Sequence, residues 1–221
     1  MTEIAERLAE VQGRIEAACR ETGRSVSEVT LVAVSKRQPD AALLAAYAAS
    51  HRDFGENYVQ ELVRKQGLLP DDARFHLIGH LQTNKAKEAV HAALIHTVDR
   101  EKVARALDRK VESGPLRVLI EVNLAGEAQK AGVAPEALSS LLYGLRDLPR
   151  LEVRGLMCIP PSGEGRRWFA ELRRLAEEAR TRTGWPLPEL SMGMSADFED
   201  AVREGATIVR VGTAIFGVRS A

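Results

Sequence analysis

The sequence predicts an α/β fold: a single (β/α)8 barrel, or TIM barrel, with an extra helix at the N-terminus. Short apolar segments rich in β-branched residues recur eight times along the 221 residues, and helix-like segments separate them. An open doubly wound sheet is the alternative. No Gly-x-Gly-x-x-Gly lies between a strand and a helix, however, so the usual dinucleotide signature of that sheet is missing.

An amphipathic segment opens the chain. Ile4, Leu8, Val11 and Ile15 recur at alternating four- and three-residue spacing, which is typical of a helix with one apolar stripe. Gly23 is a suitable end for this helix. Because it precedes the first strand, we expect it to pack on the barrel as an additional element.

The first half of the chain contains four strand–helix units. The pattern predicts strands at 30–34, 53–57, 74–79 and 94–98. Helices are expected at 39–49, 58–66 and 84–91, and a fourth begins near residue 100. Asp99 is placed to cap that fourth helix, which then carries Val103, Leu107 and Val111 on one face.

The second half repeats the alternation. Strands are predicted at 116–123, 151–158, 190–195 and 207–211, the third of these being less regular than the others. Helices are expected to begin near Pro135 and to cover 167–182 and 197–204. The sequence contains no linker or low-complexity segment, so we expect residues 1–221 to form one domain.

Composition excludes several classes of protein. Lys plus Arg and Asp plus Glu both total 31, and this zero net charge disfavours nucleic acid and anionic membranes as partners. No segment approaches the roughly 18 apolar residues of a membrane span, and the N-terminus lacks a signal-peptide core. The two cysteines, Cys19 and Cys158, do not form a disulfide framework. We expect a cytoplasmic protein, and a monomer because no dedicated dimerisation element is evident.

The first strand ends in a single lysine, Lys36. The run before it, 31–34, suits a strand buried on both faces. Burial penalises the charged form of a lysine, so the amine is partly neutral near neutral pH, and a neutral amine forms Schiff bases with carbonyl compounds. The alternative is an ordinary solvated lysine at a strand end.

Chemistry in such a barrel lies at the carboxyl ends of the strands. In this sequence those ends carry Lys36, Asn57, Gly79, His80, Asn123, Met157, Cys158, Met194, Ser195, Gly212 and Thr213. The loops after strands 7 and 8 often bind a phosphate in this fold. Polar and small residues of these two ends therefore predict an anion site opposite Lys36.

Ser195 stands at the start of a short helix, where backbone N–H groups favour an anion. Gly212 allows close approach of the backbone to a ligand, and Thr213 adds a hydroxyl donor. A reactive lysine facing a phosphate site indicates a phosphorylated aldehyde, of which pyridoxal 5′-phosphate (PLP) is the obvious example. Arg210, on strand 8, is placed to hydrogen-bond the pyridine nitrogen.

Six segments then carry a specific resemblance that spans nearly the whole chain. They are Val-Ala-Val-Ser-Lys (32–36), Phe-Gly-Glu-Asn-Tyr (54–58), His-Leu-Ile-Gly-His-Leu-Gln-Thr-Asn-Lys (76–85), Gly-Leu-Met (155–157), Ser-Met-Gly-Met-Ser (191–195) and Val-Arg-Val-Gly-Thr-Ala-Ile-Phe-Gly (209–217). In this order they resemble the YggS/PROSC family of PLP homeostasis proteins, which are similar to the N-terminal barrel of alanine racemase. The segment 160–165 is short for that family.

The resemblance implies a set of cofactor-binding residues. Lys36 corresponds to the Schiff-base lysine, and Arg210 to the residue at the ring nitrogen. Ser195, Gly212 and Thr213 correspond to the phosphate contacts, with the backbone of Met194 nearby. Asn57 and His80 match family positions near the cofactor. The resemblance assigns no catalytic residue and no metal.

Other residues have simpler interpretations. His76 and His80 are four apart but lack a helix and a third ligand, which disfavours a metal. His51, His91 and His96 are expected at the surface or at helix ends. Cys158 is expected to be a small buried residue, not a nucleophile.

Three functions remain open at this stage. The first is a PLP carrier that holds the cofactor and passes it on, with PLP-dependent apo-enzymes as possible recipients. The second is a PLP-dependent amino-acid racemase, and the third is a barrel that has lost its ligand and serves in protein interactions. Racemization through two opposed bases needs a second acid/base on the other face of the ring. Alanine racemase-like enzymes take it from a second domain, and this chain ends at Ala221 after strand 8. The carrier is therefore favoured.

Overall fold

The computed structural model describes residues 2–127, 129–161 and 163–217. Eight parallel strands form a closed barrel in which each strand pairs with the next and the eighth pairs with the first. The predicted barrel is therefore confirmed. The strands are β1 (Thr30–Val34), β2 (Asp53–Glu56), β3 (Arg74–Leu77), β4 (Leu94–Val98), β5 (Leu116–Glu121), β6 (Leu151–Met157), β7 (Glu189–Ser191) and β8 (Ile208–Val211).

Helices precede β1 and connect the strands on the outside of the barrel. They are α1 (Glu3–Glu21), α2 (Asp40–Ala48), α3 (Val59–Gln66), α4 (Ala86–Ala89), α5 (Glu101–Asp108), α6 (Leu138–Gly144), α7 (Gly165–Thr183), α8 (Phe198–Arg203) and α9 (Thr213–Phe216). Short 3-10 turns lie at Val26–Glu28, Thr83–Lys85 and Pro135–Ala137. Among the helices of the described residues, none combines the length and the apolar character that crossing a bilayer requires.

The additional N-terminal helix packs on the barrel as expected. Thr2 caps α1 by accepting a hydrogen bond from the backbone of Ala5. The apolar stripe of α1 is buried, and the helix contacts α2, α8 and α9. A bidentate pair from Arg14 to Glu199, at 3.0 and 2.8 Å, joins α1 to the first turn of α8.

Two separate apolar layers explain how β8 points a polar residue into the barrel. Val209 and Val211 belong to the large cluster between the strands and the helices. Ile208 belongs instead to a small cluster whose other members are Val32, Leu94, Leu119 and Met157. Because side chains alternate along a strand, Arg210 faces the same side as Ile208, which is the barrel interior.

Two local predictions need correction. The seventh strand ends at Ser191 and does not reach Ser195. Gly193 has a φ of +90°, and a Cβ there would lie 2.5 Å from that of Ala201, so the chain turns at this glycine. Asp99 does not cap α5: the N-cap is Arg100, and the Asp99 carboxylate pairs with Arg100 instead. The loop 160–165 includes Ser162, which lies outside the described residues.

Candidate functional site

A cavity of about 310 Å³ opens at the carboxyl ends of β1, β2, β7 and β8. Its volume lies within the range of about 300–1,000 Å³ that is typical of small-molecule sites. Seven of the eight residues predicted from the sequence line it, namely Lys36, Asn57, Met194, Ser195, Arg210, Gly212 and Thr213. The fold thus brings together residues that are separated by up to 177 positions in the chain, from Lys36 to Thr213.

His80 lies apart from this group. It is exposed and lines a second cavity of about 230 Å³, in which its Nδ1 is 3.8 Å from the Asp99 carboxylate. Asn57, Ile78 and Ile159 line both cavities and form the wall between them. The position of His80 relative to a cofactor therefore stays a prediction.

Backbone N–H groups from two loops converge on one side of the first cavity. Ser195 Oγ accepts hydrogen bonds from the N–H groups of Gly212 and Ala214, at 3.2 and 3.3 Å, and so ties the loop after β7 to the start of α9. Within the described part of the chain, the N–H groups of Ser195, Ala196 and Thr213 make no hydrogen bond. Such unused donors are suited to an anion.

Met194 contributes to the wall of the cavity. Its backbone N–H donates to the Asp197 carboxylate at 2.7 Å, and its carbonyl accepts from Asp197 and Phe198. The side chain is 38% exposed. The Met194 N–H is therefore engaged within the protein, and the open donors begin at Ser195.

Arg210 is buried at the inner end of the cavity. Its Nη1 donates to Ser191 Oγ at 2.6 Å, and its Nη2 donates to the carbonyl oxygen of Cys158 at 2.9 Å. Burial lowers the pKa of the Arg210 guanidinium, but an arginine remains charged at neutral pH. These two bonds fix the plane of a permanently charged donor beside the cavity.

A buried ionic cluster, made of Lys65, Glu56 and Glu61, supports the backbone around Lys36. Lys65 Nζ is fully buried and donates to the carbonyl of Ser35 at 2.6 Å and to both carboxylates at 2.8 Å. Ser35 Oγ donates to Glu56 at 2.6 Å. On the other side of Lys36, the N–H of Arg37 donates to Glu61 at 2.8 Å.

Burial and the hydrogen bonds of this cluster act in opposite directions on the pKa of Glu56. Burial raises the pKa of Glu56 to about 7, against the opposing effect of the hydrogen bonds from Lys65 and Ser35. Arg37 has a φ of +56°, a left-handed conformation that is uncommon for a non-glycine residue. The bonds to Ser35 and Arg37 therefore hold a strained turn in which Lys36 is the central residue.

This cluster was not predicted, although the sequence contains a signal for it. Val59, Leu62 and Lys65 recur every three residues, and all three are buried. A lysine in register with the apolar face of a helix is a sign of burial, and a buried lysine requires a carboxylate partner. Glu56 and Glu61 lie nearby in sequence and fill that role.

A second carboxyl group, Glu121, is buried and has no ion partner among the described residues. It lies at the end of β5 in the second cavity, and its Oε2 makes no hydrogen bond to the described residues. Burial raises the pKa of Glu121 to about 7, and the negative charge of Asp99 adds to the effect. A carboxyl group in this position is partly protonated at neutral pH.

One histidine prediction was wrong: His96 is fully buried within β4, whereas it was expected at the surface or at a helix end. His51 is only 8% exposed, but it does lie at a helix end, where its backbone N–H donates to the carbonyl of Ala46 at the end of α2. His91 is exposed as expected. Cys158 is a buried free thiol whose pKa burial raises to about 12, which fits a packing role. Among the described residues, no group of three or more potential ligands is arranged to hold a metal ion.

Comparison with known proteins agrees with the class that the fold and this cavity define, a barrel of the alanine racemase N-terminal type. A family model described as alanine racemase, N-terminal domain, matches residues 11–220. The alanine racemase of Corynebacterium glutamicum superposes with a TM-score of 0.73 at 18% identity, covering 99% of this chain and 62% of that one. At this level of identity the likeness concerns the fold alone.

Closer relatives share nearly their full length with this chain. The PLP homeostasis protein of Pseudomonas aeruginosa is 46% identical over 99% of this chain and 97% of its own length, and that of Escherichia coli K12 is 44% identical over 99% and 98%. PipY from Synechococcus elongatus PCC7942, solved with PLP bound, has a TM-score of 0.85 and 42% identity, covering 97% of this chain and all of PipY. This chain belongs to the family of PLP homeostasis proteins within the alanine racemase N-terminal domain class.

Proposed function

We propose that the chain binds PLP in the cavity beside Lys36, holds it, and passes it on as part of intracellular PLP homeostasis, without robust catalysis of its own. One observation carries the proposal. A lysine, a set of unused backbone N–H donors and a buried arginine line one cavity of suitable volume. The names of the close relatives and the PLP-bound structure of PipY support the same cofactor.

The residues present fit this cofactor. PLP, when bound, supplies an aldehyde that condenses with an amine and a phosphate that needs hydrogen-bond donors. Lys36 would provide the amine, and Ser195, Ala196, Gly212 and Thr213 would form the phosphate site. Arg210 would donate to the ring nitrogen, and Asn57 and Met194 would confine the ring. We extend the proposal to residues 1–221 as one PLP-binding domain.

The lining of the cavity favours the carrier over the racemase. Among the described residues that line it, Lys36 and Arg210 are the ones with ionisable side chains. Arg210 is held by Ser191 and Cys158, and an arginine is a poor proton donor and acceptor. Tyr58, the nearest tyrosine in sequence, is 50% exposed and lies outside the lining. A second positioned acid/base for racemization is not found among these residues.

Peptide mapping tests the attachment. We expect borohydride reduction of the PLP-loaded protein to fix the cofactor on the peptide that contains Lys36, and Lys36→Ala to abolish this adduct. Lys85→Ala serves as the matched control, because it removes another lysine and should leave the labelling unchanged. A label on Lys85 or Lys130 in the wild-type protein would show that the assignment of Lys36 is wrong.

The racemase alternative has its own test. Chiral chromatography of alanine, after incubation with the protein and saturating PLP, should show no efficient conversion of the L- to the D-form. General acid–base help is typically worth about 10²–10⁴-fold, so its absence leaves slow turnover at most. Turnover of about 1 s⁻¹ or more that Lys36→Ala removes would replace the carrier by a racemase.

Partners and location complete the proposal. PLP-dependent apo-enzymes would be the recipients of the cofactor, and the protein would act as a monomer in the cytoplasm. The two free buried thiols are in keeping with a reducing compartment. Size-exclusion chromatography with light scattering tests the monomer. Transfer of PLP to an apo-enzyme, followed as recovered activity of that enzyme in the presence of a PLP-trapping amine, tests direct delivery.

A further inference from the structure

Five polar side chains form a continuous hydrogen-bonded chain through the interior of the barrel. Arg210 Nη1 lies 2.6 Å from Ser191 Oγ, which lies 2.8 Å from His96 Nδ1. His96 Nε2 is 3.0 Å from His76 Nδ1, and His76 Nε2 is 3.1 Å from Asp53 Oδ1. These residues come from β2, β3, β4, β7 and β8, so the chain crosses the whole barrel.

The chain joins two cavities at opposite mouths of the barrel. Arg210 lines the upper cavity beside Lys36. Asp53 and His76 line a lower cavity of about 320 Å³ at the amino ends of the strands. His96 and Ser191 lie between them with no exposed surface. Such a buried polar series is costly unless every donor and acceptor is paired.

With both histidines neutral, the two ends fix the direction in which the hydrogen bonds run. Arg210 only donates, because a guanidinium has no acceptor atom. Asp53 only accepts, because its carboxyl is ionised. Burial acts to raise the pKa of this carboxyl, but hydrogen bonds from His76 and Arg74 outweigh burial and hold the pKa well below the usual range. Ser191 must therefore accept from Arg210 and donate to His96, His96 must donate from Nε2 to His76, and His76 must donate from Nε2 to Asp53.

This arrangement requires both histidines to be neutral and protonated on Nε2. Burial lowers the pKa of His96 well below its ordinary value, and the positive charges of Arg210 and Arg117 act in the same direction. One extra proton on His76 would reverse the series. His76 would then donate from Nδ1 to His96, and His96 from Nδ1 to Ser191, whose hydroxyl hydrogen would leave the chain.

We propose that Ser191, His96, His76 and Asp53 are positioning residues for Arg210, and that their one-directional hydrogen bonding makes the upper cavity depend on a carboxylate at the opposite mouth of the barrel. The inference rests on the proposed PLP site, because it assigns Arg210 a contact with the cofactor. Ser191 Oγ is the link between the arginine and the two histidines. Without it, Arg210 Nη1 and His96 Nδ1 would both lose their described partner in a site closed to solvent.

The first measurement uses the protein without cofactor. Nitrogen-15 chemical shifts of the imidazole rings distinguish the two tautomers and the imidazolium. We expect His76 and His96 to be neutral and protonated on Nε2 at pH 7.5. A His96 ring protonated on Nδ1, or an imidazolium at either position, would overturn the proposed direction whether or not PLP binds to this cavity.

The second measurement follows PLP. Ser191→Ala removes one oxygen atom and should weaken PLP binding about tenfold and shift the absorption band of the bound cofactor. Asp53→Ala, remote from the upper cavity, should change the tautomer signals of both histidines and weaken PLP about threefold. Thr183→Val is the matched control, since it removes another buried hydroxyl, on α7, and should change neither quantity.

The outcomes separate this inference from the proposed function. If wild-type protein fails to bind PLP at Lys36, the proposed site is wrong, while the tautomer result still decides the direction of the chain. If wild type binds PLP but Ser191→Ala retains its affinity and its absorption band, the positioning role is refuted. If Ser191→Ala binds PLP more weakly and the histidine tautomers are as predicted, the positioning role is supported. If Thr183→Val weakens PLP binding to a similar extent, the positioning role is refuted.

Discussion

The two mouths of the barrel use polar residues in opposite ways. At the lower mouth the arginines are paired: Arg74 binds Asp53, and Arg117 and Arg154 share Glu189. At the upper mouth the N–H groups of Ser195, Ala196 and Thr213 have no partner among the described residues. The arginines of the lower mouth are thus engaged by carboxylates of the protein, whereas the upper mouth retains donors that a ligand can use.

The difference extends to the layer beneath the upper mouth. Lys65 is a fully buried cation that binds Glu56, Glu61 and the carbonyl of Ser35. The ion pairs of the lower mouth instead lie partly in solvent, with 57% and 44% of the Arg74 and Arg117 side chains exposed. Exposed ion pairs contribute little to stability, and breaking buried ones costs much more. The effects of substitutions at the two mouths should therefore differ both in magnitude and in the property that changes.

Loss of Lys65 should have the largest effect. Lys65→Met keeps an unbranched side chain, one atom shorter, but leaves Glu56 and Glu61 without their cation in a buried site. We expect a loss of about 3–5 kcal/mol in the free energy of unfolding, measured by urea denaturation. Because the cluster holds Ser35 and Arg37, PLP affinity should fall as well. A loss below about 1 kcal/mol would show that the cluster is not buried as described.

A double variant isolates the electrostatic part of that loss. Lys65→Met combined with Glu56→Gln removes the more deeply buried of the two uncompensated charges while retaining an acceptor for Ser35 Oγ. The double variant should recover part of the stability lost in Lys65→Met alone. If it is less stable than the single variant by the full cost of Glu56→Gln, the two residues act independently and the charge argument fails.

Glu121→Gln should stabilise the protein increasingly as the pH rises from about 4.5 to 7. The folded-state pKa of Glu121, about 7, exceeds its ordinary value of 4.5. Its contribution is therefore fully present below pH 4.5 and is lost as the pH rises through 7, because the unfolded state gives up its proton at a lower pH than the folded state does. We expect the variant to match wild type at pH 5 and to gain about 1–3 kcal/mol at pH 8.

Urea denaturation at the two pH values checks this dependence. Glu112→Gln is the control, since Glu112 is exposed and should show no such difference between pH 5 and pH 8. Equal effects of Glu121→Gln at both pH values would mean that Glu121 does not titrate in this range in the folded protein.

Substitutions in the phosphate site should have a smaller effect, which concerns PLP binding and not the stability of the fold. Ser195→Ala and Thr213→Val should each weaken PLP by about 1–3 kcal/mol, the usual cost of losing a donor to a charged group. Pyridoxal, which lacks the phosphate, should bind poorly and equally to both variants and wild type. Thr181→Val, an exposed hydroxyl on α7, is the control. Equal affinities of wild type for pyridoxal and PLP would remove the phosphate site from the proposal.

Part of the candidate site could be predicted from the sequence. Lys36, Ser195 and Gly212 follow strands whose ends are marked by a change from apolar to polar or small residues, so their meeting at one mouth followed from the parallel barrel. The seventh strand was misjudged because Gly193 turns the chain two residues after the last paired position. Local pattern does not reveal a turn that depends on contact with Ala201.

The burial of some polar residues could not be predicted from the sequence. His96 lies in a strand that is buried at every position, and sequence alone offered no partner for it. Its partners, His76 and Ser191, are 20 and 95 residues away. Groups such as His96 become predictable only after the register of the barrel places their partners beside them. Lys65 differs, because its register with the apolar face of α3 and the nearby Glu56 and Glu61 are visible in the sequence.

The smallest effect is expected from Arg117→Gln at the lower mouth. Arg117 is partly exposed, and Glu189 keeps Arg154 as a partner at 3.2 Å when it is replaced. Urea denaturation should show a loss of about 0–1 kcal/mol, with unchanged PLP affinity. Asp53→Ala differs in kind because Asp53 is hydrogen-bonded to His76 and Arg117 is not. If Arg117→Gln weakened PLP as much as Asp53→Ala does, charge at the lower mouth, and not the hydrogen-bonded chain through His96, would link the two ends of the barrel.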